Sequence, residues 1–230
     1  PLFEKVGIQT TFVGHPLANK IPLKSNMYKY RKLLKINRKE LVIALLPGSR
    51  MGELRAHTDI LLETAQNLLE VYPNAKFLIP VNNDTNMSFI EARVKNNPTQ
   101  NLKLIKGRVD EILSSSNIVI AASGTASLQI ALHKKPMIII YKGSWISYFV
   151  WKMVRLIPHV SLPNILLNED IVPEMLQHRA TPTLLSKKAC EIIKDKRYLK
   201  KIESKFYKLH KDLKKNTSSL VFKVIKPYLK

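Results

Sequence analysis

Residues 41 to 50 read Leu41, Val42, Ile43, Ala44, Leu45, Leu46, Pro47, Gly48, Ser49, Arg50. A continuous apolar run of this length is expected of a strand buried on both faces. Pro47 and Gly48 break it, and a helix is predicted to follow. Leu61, Ala65, Leu68, Leu69 and Tyr72 recur at helical spacing, and Pro73 ends the pattern. Working outward, Lys76 to Val81, Leu102 to Ile105, Ile118 to Ala122 and Met137 to Tyr141 are predicted strands. Helices are predicted between them at Met87 to Lys95, Val109 to Leu113 and Thr125 to His133. Strand and helix alternating, with strands apolar throughout, is the pattern of an α/β fold with a parallel sheet. Right-handed crossovers make that sheet doubly wound and Rossmann-like.

Around this core the chain divides into three expected parts. Residues 1–37 form a connector: Val6, Ile8, Phe12 and Val13 are strand-like, and Gly14, His15 and Pro16 turn the chain. Residues 38–178 form the α/β domain, which includes an aromatic and basic helix from Trp145 to Leu156. Residues 179–230 form two or three Lys-rich helices. The chain opens on Pro1 without Met or a charged-then-apolar leader, which predicts an internal start.

Composition excludes several classes. At 45% hydrophobic the 230 residues can bury a core, so global disorder is excluded. Cys190 alone makes no disulfide framework or zinc cluster and fits a reducing, cytoplasmic setting. The longest apolar candidate for a span, Met137 to Ile157, is interrupted by Lys142, Lys152 and Arg155, so no membrane crossing is expected. The formal charge of +21 is the largest compositional signal. Residues 187–230 hold 15 Lys and Arg against 4 Asp and Glu, a net +11. Such a charge attracts nucleic acid, anionic lipid or phosphorylated substrate, but a merely solvated basic face accounts for it as well.

Two loops carry chemistry. In open α/β sheets ligands bind beyond the carboxyl ends of the strands, near a switch in strand order. In the first loop Gly48 lets the backbone approach a ligand, Ser49 offers a hydroxyl and Arg50 a forked cation for phosphate. In the second, Ser123, Gly124 and Thr125 lead into a helix whose first N–H groups favour an anion. Gln129 shares a helix face with Thr125. Each loop is equally readable as structure, an ordinary strand-to-helix turn in one case and helix capping by Ser123 in the other. No G-x-G-x-x-G fingerprint and no P-loop occurs, which argues against a nicotinamide enzyme and a P-loop ATPase. The six histidines have no metal-ligand spacing. His15 is read as shaping a turn, and Asp110 and Glu111 as acids favoured at a helix start.

Five strings in order now resemble one family. They are Phe12 to Leu17; Leu45 to Arg50 with Glu53; Ala122 to Ala126; Pro136 and Met137 with the strand ending at Tyr141; and Ser161 to Ile165 followed by Val172, Pro173, Glu174 and Gln177. Together they resemble the lipid-A-disaccharide synthases. That resemblance implies the C-terminal half of a GT-B glycosyltransferase, its N-terminal domain missing, with a basic helical tail. The implied reaction joins UDP-2,3-diacylglucosamine to 2,3-diacylglucosamine 1-phosphate, giving a tetraacyl disaccharide 1-phosphate and UDP. No metal and no cofactor is implied. The implied setting is peripheral, on an anionic membrane surface at the cytoplasmic face of the bacterial inner membrane, and a homodimer is a further candidate state.

Carried over by position, Arg50 and Asn164 are the catalytic candidates. Gly48, Ser49, Arg50, Ser123, Gly124, Thr125, Gln129 and Asn164 form the donor site. By analogy with related nucleotide-sugar folds, the backbone of Gly107 to Val109 is expected to meet the uracil edge. Gln129 stands where the family usually has Glu, and Lys142 where Arg is common. The catalytic base is expected in the missing domain, so the chain is expected to bind UDP weakly without catalysing transfer.

Two alternatives remain at this level. One is another GT-B enzyme using UDP-GlcNAc, which shares the phosphate logic but not the Ser161 to Asn164 string. The other is a basic module that binds nucleic acid or a lipid surface. The enzyme reading requires Ser49 and Thr125 to open into one hollow.

Overall fold

The computed structural model describes Gly7, residues 10–143 and residues 159–228. The predicted strand forms as β1 (Val42–Leu46), all five residues buried. Beside it lie β2 (Lys76–Val81), β3 (Leu102–Lys106), β4 (Ile118–Ala122), β5 (Met137–Tyr141) and a short β6 (Glu174–Leu176). The order across the sheet is β3-β2-β1-β4-β5-β6, every pairing parallel. This is the doubly wound Rossmann order, whose direction of growth reverses between β1 and β4.

The apolar run of β1 is divided between two cores. Side chains alternate across a strand, so Val42, Ala44 and Leu46 enter one cluster while Ile43 and Leu45 enter the other. The second core is closed by α3 (Met51–Val71) through Leu54, Leu61, Leu62, Ala65 and Leu68, and by α4 (Asp84–Asn96) through Ile90. On the first face lie α1 (Pro16–Lys20), α2 (Met27–Leu33), α5 (Val109–Ser115) and α6 (Ala126–Leu132). The short α7 (Leu162–Leu167) packs on α6.

The flanking segments belong to these same cores. In the N-terminal segment Arg31 is buried, and its guanidinium donates to the carbonyls of Ser115, Asn37, Arg38 and Glu40 and to Asn117 Oδ1. Buried charge is tolerated only when so partnered. Phe12 and Val13 lie in no strand, and Phe12 is exposed. His15 caps α1, its Nδ1 accepting from the Leu17 N–H, while its own N–H bonds Leu213 O. The predicted aromatic helix from Trp145 to Leu156, like Val6 and Ile8, falls outside the described residues.

The Lys-rich segment forms α8 (Pro182–Lys194), α9 (Lys196–Leu213) and α10 (Thr217–Ile225). Leu185, Ala189 and Ile192 of α8 enter the α3 core. Ile202, Phe206, Leu209 and Leu213 of α9, at helical spacing, enter the opposite one. The lysines of α9 occupy its other face, with Lys200, Lys201, Lys208 and Lys211 exposed. Much of the tail's charge is therefore the solvated side of a core helix.

Candidate functional site

Because β1 pairs with β4, with Leu46 opposite Ala121, the loops leaving these two strands are neighbours. Between them opens a cavity of about 360 Å³, within the roughly 300–1,000 Å³ usual for small-molecule sites. Gly48, Ser49 and Arg50 line one side, and Ser123, Gly124, Thr125 and Gln129 the other. Ser49 and Thr125 share one hollow, as the enzyme reading requires.

The first loop is fixed by specific contacts. Gly48 has φ +118°, and a Cβ there would lie 2.4 Å from Glu53 Cβ, so only glycine fits. Glu53 Oε2 accepts from the Ser49 N–H at 2.7 Å and the Arg50 N–H at 3.2 Å. Buried Asn86 donates to Ser49 O at 3.0 Å. His57 bridges the tips of β1 and β5: Nδ1 lies 3.0 Å from Pro47 O, and Nε2 accepts from the Lys142 N–H at 3.1 Å. With a carbonyl on one side and an N–H on the other, the ring is the neutral tautomer protonated at Nδ1. Burial holds the His57 pKa below its ordinary value. The Arg50 side chain is 86% exposed; its Nη1 donates to Glu53 Oε1 in a long 3.4 Å ion pair, and the exposed guanidinium keeps further donors for an anion.

The second loop differs in detail from expectation. The Ser123 hydroxyl donates to Val160 O at 3.0 Å, leaving only its lone pairs for the cavity. Thr125, not Ser123, precedes α6, without a side-chain cap bond. Among the described residues the N–H groups of Gly124 and Thr125 find no acceptor, so they are the donors presented there. With seven residues α6 has a small dipole, and these two N–H groups matter more than its field. Val109 lines the rim, next to Gly107 and Arg108, both at positive φ. Among the described residues no cluster of His, Cys, Asp or Glu has the geometry to hold a metal ion.

With this geometry in view, the profile of the Lipid-A-disaccharide synthetase family matches residues 1–225. The chain belongs to that family. It is 34% identical over 231 residues to lipid-A-disaccharide synthase of Methylobacillus flagellatus, covering 100% of this chain and 61% of the relative. Against the enzyme of that name from Dechloromonas aromatica the identity is 37%, over 94% of this chain and 58% of the relative. The chain thus spans about three-fifths of the length of these relatives. Among solved structures it is similar to the C-terminal domain of the group 1 glycosyl transferase LpcC from Francisella tularensis. The TM-score is 0.60 at 17% identity, covering 88% of this chain and 100% of that one. That likeness gives the fold: a GT-B-type Rossmann domain with a helical tail.

Membership in the lipid-A-disaccharide synthetase family does not put every expected residue in the cavity. Asn164, expected at the cleft as a catalytic and donor-binding group, is fully buried and does not line it. Its Oδ1 accepts from the N–H groups of Ile171 and Val172, and its Nδ2 donates to Val172 O and Glu174 Oε1. All four hydrogen-bonding positions of the amide are taken. Glu174 also accepts from Val160 N, Ser161 N and the Ser161 hydroxyl, so this family string clamps residues 160–164 against β6. Lys142 likewise lies at the tip of β5, outside the cavity lining. Sequence reasoning missed Pro80 and Asn82, which line the cavity from the end of β2, and gave Glu53 no role. The signal was available, since polar residues directly after a parallel strand sit on the ligand side of the sheet.

Proposed function

We propose that this chain is the donor-nucleotide half of a lipid A glycosyltransferase. In the whole enzyme, UDP-2,3-diacylglucosamine and 2,3-diacylglucosamine 1-phosphate give a tetraacyl disaccharide 1-phosphate and UDP. One observation carries the reading: two glycine bends at adjacent strand ends open into a single cavity where the strand order reverses, the location favoured for nucleotides. Family membership supports the choice of acylated sugars over UDP-GlcNAc.

The acceptor hydroxyl oxygen attacks the anomeric carbon of the donor as the bond to the β-phosphate oxygen breaks, and UDP leaves with that electron pair. Negative charge grows on the β-phosphate. The N–H groups of Gly124 and Thr125 are preorganised donors for it, and the exposed Arg50 guanidinium adds a cation from the opposite side of the cavity. Gln129 serves the ribose, and the backbone near Val109 the uracil. Glu53 is engaged with the loop amides. The base that takes the acceptor's proton is therefore assigned to the part of the enzyme represented by the remaining two-fifths of its relatives' length.

No helix among the described residues is long and apolar enough to cross a membrane. The proposed setting is peripheral, at the cytoplasmic face of the bacterial inner membrane. Exposed Val221, Phe222 and Ile225 beside Lys223 and Lys226 support contact with anionic lipid. Assembly as a homodimer remains part of the proposal.

Calorimetric titration with UDP tests the reading. The chain should bind UDP, and Arg50→Ala should weaken binding about tenfold or more, because a charge-assisted hydrogen bond contributes about 1.5–3 kcal/mol. No binding to the unaltered chain, or equal binding by the variant, would overturn it.

A further inference from the structure

Behind the cavity rim runs a chain of three polar residues that the reaction does not use. Ser114 Oγ lies 3.1 Å from His133 Nδ1, and His133 Nε2 lies 2.9 Å from Asp110 Oδ1. The residue types are those of a hydrolytic triad, but Ser114 is 1% exposed and no substrate could reach its hydroxyl. The chain leads the other way, from the core to the surface. Asp110 Oδ1 accepts a second bond, 2.8 Å from Gln129 Nε2, and Gln129 lines the cavity.

An amide can face a partner with either end, and the partner decides which. Asp110 is held below the usual carboxylate range, first by its hydrogen bond from His133 and further by the one from Gln129. Ionised at neutral pH, it has no hydrogen to give and can only accept. The Gln129 nitrogen is therefore the end that must face Asp110, and the oxygen must face away. Among the described residues no donor reaches Gln129 Oε1. Asp110 is itself steadied, because the His133 ring that holds it is buried and tethered by Ser114.

We propose that Asp110, backed by His133, is a positioning residue that fixes the polarity of the Gln129 amide, so that Gln129 presents its carbonyl oxygen as an acceptor to the ribose hydroxyls of the donor nucleotide. The assignment rests on the cavity being the UDP site. Thr125 and Gln129 are one helical turn apart on one face, so a diphosphate held at Gly124 and Thr125 leaves its ribose within reach of Gln129. Ribose hydroxyls must donate to such an acceptor. Asp110 thereby lets glutamine do what a glutamate would do there without adding a second negative charge to a diphosphate site.

The test compares UDP with 2′,3′-dideoxy-UDP on the full chain. The unaltered chain should prefer UDP by about tenfold. Asp110→Leu should erase most of that preference while leaving affinity for the dideoxy analogue within about twofold. Asp110→Asn, which keeps an acceptor oxygen, should retain it. Asp110→Leu combined with Gln129→Glu should restore it, since both carboxylate oxygens accept. Equal loss for both nucleotides, or no rescue by Gln129→Glu, would mean that Asp110 only supports the fold and would overturn the proposal.

Asp110 is itself 59% exposed, but Asp110→Leu leaves the buried His133 Nε2–H without its acceptor, so the melting temperature should fall. Asp110→Asn keeps an acceptor and should leave it nearly unchanged. Affinities are therefore compared below both melting temperatures. A second readout needs no ligand. In nitrogen-edited NMR spectra the Gln129 side-chain NH2 should show slowed hydrogen exchange that Asp110→Leu abolishes. A Gln129 NH2 that exchanges like a free amide in the unaltered chain would overturn the orientation. If no UDP binds to any form, the nucleotide reading of the cavity falls and the ribose role with it, while the NMR result still decides the amide's orientation.

Discussion

At the scale of single residues, the cavity is held in shape by groups that do not line it. His57 is the clearest case, joining Pro47 O to the Lys142 N–H and thereby tying the tip of β1 to the tip of β5. Protonation at Nε2 would break the second bond and bury a charge. Burial holds the His57 pKa below its ordinary 6.5. Buried His210 is lowered in the same direction, also chiefly by burial. For a histidine whose folded pKa is depressed, the unfolded state takes up protons first as pH falls, so stability is whole above about 6.5 and declines below it. The denaturant midpoint should therefore drop between pH 7.5 and 5.5. His57→Gln, which retains an amide donor and acceptor, should show a shallower drop. An identical slope in both proteins would remove His57 from the account.

At the scale of elements, the same sequence features take on unexpected work. The string from Ser161 to Ile165 carries much of the family resemblance, and its asparagine is structural. Asn164→Ala would leave the N–H groups of Ile171 and Val172 buried without partners. Unsatisfied buried groups cost about 1–3 kcal/mol each, so chemical denaturation should show a loss of roughly 2–4 kcal/mol. UDP affinity of the folded fraction should stay within about twofold. A large loss of affinity at unchanged stability would return Asn164 to the site. The lysines of α9 teach a related lesson. Read as composition they suggest a partner, yet Ile202, Phe206, Leu209 and Leu213 on the opposite face show why the helix is there.

For the molecule as a whole, the sheet is clamped from both sides by its own C-terminal segment. After the turn at Asp195 the chain passes from α8, packed on α3, to α9, packed on α6 and α1. Deleting residues 196–230 should uncover the apolar face that α9 covers and yield a dye-binding, loosely packed or insoluble product. Deleting residues 215–230, which removes α10 with no buried residue, should leave the melting temperature within a few degrees. Near-ultraviolet circular dichroism and thermal melts would check both. A cooperative fold surviving the longer deletion would show that α9 is dispensable.

Local pattern alone determined a good deal of this protein. Strands β2, β4 and β5 begin and end where their apolar runs do, and β1 starts one residue later than its run. The position of both cavity loops was legible, because each directly follows a buried strand, although the same residues read equally well as an ordinary turn and a helix cap. The three-residue β6 had no run long enough to read, and the N-terminal segment gave no sign that Arg31 would be buried beneath the sheet. Which residues face the cavity was left to tertiary structure. Asn164 and Gln129 are both amides after glycine- or proline-containing turns, and one is spent inside the fold while the other lines the cavity. Spacing along the chain fixes which way a side chain points from its own helix or strand. Only packing between elements distant in sequence decides whether a polar atom finds its partner in the protein or is left facing the cavity.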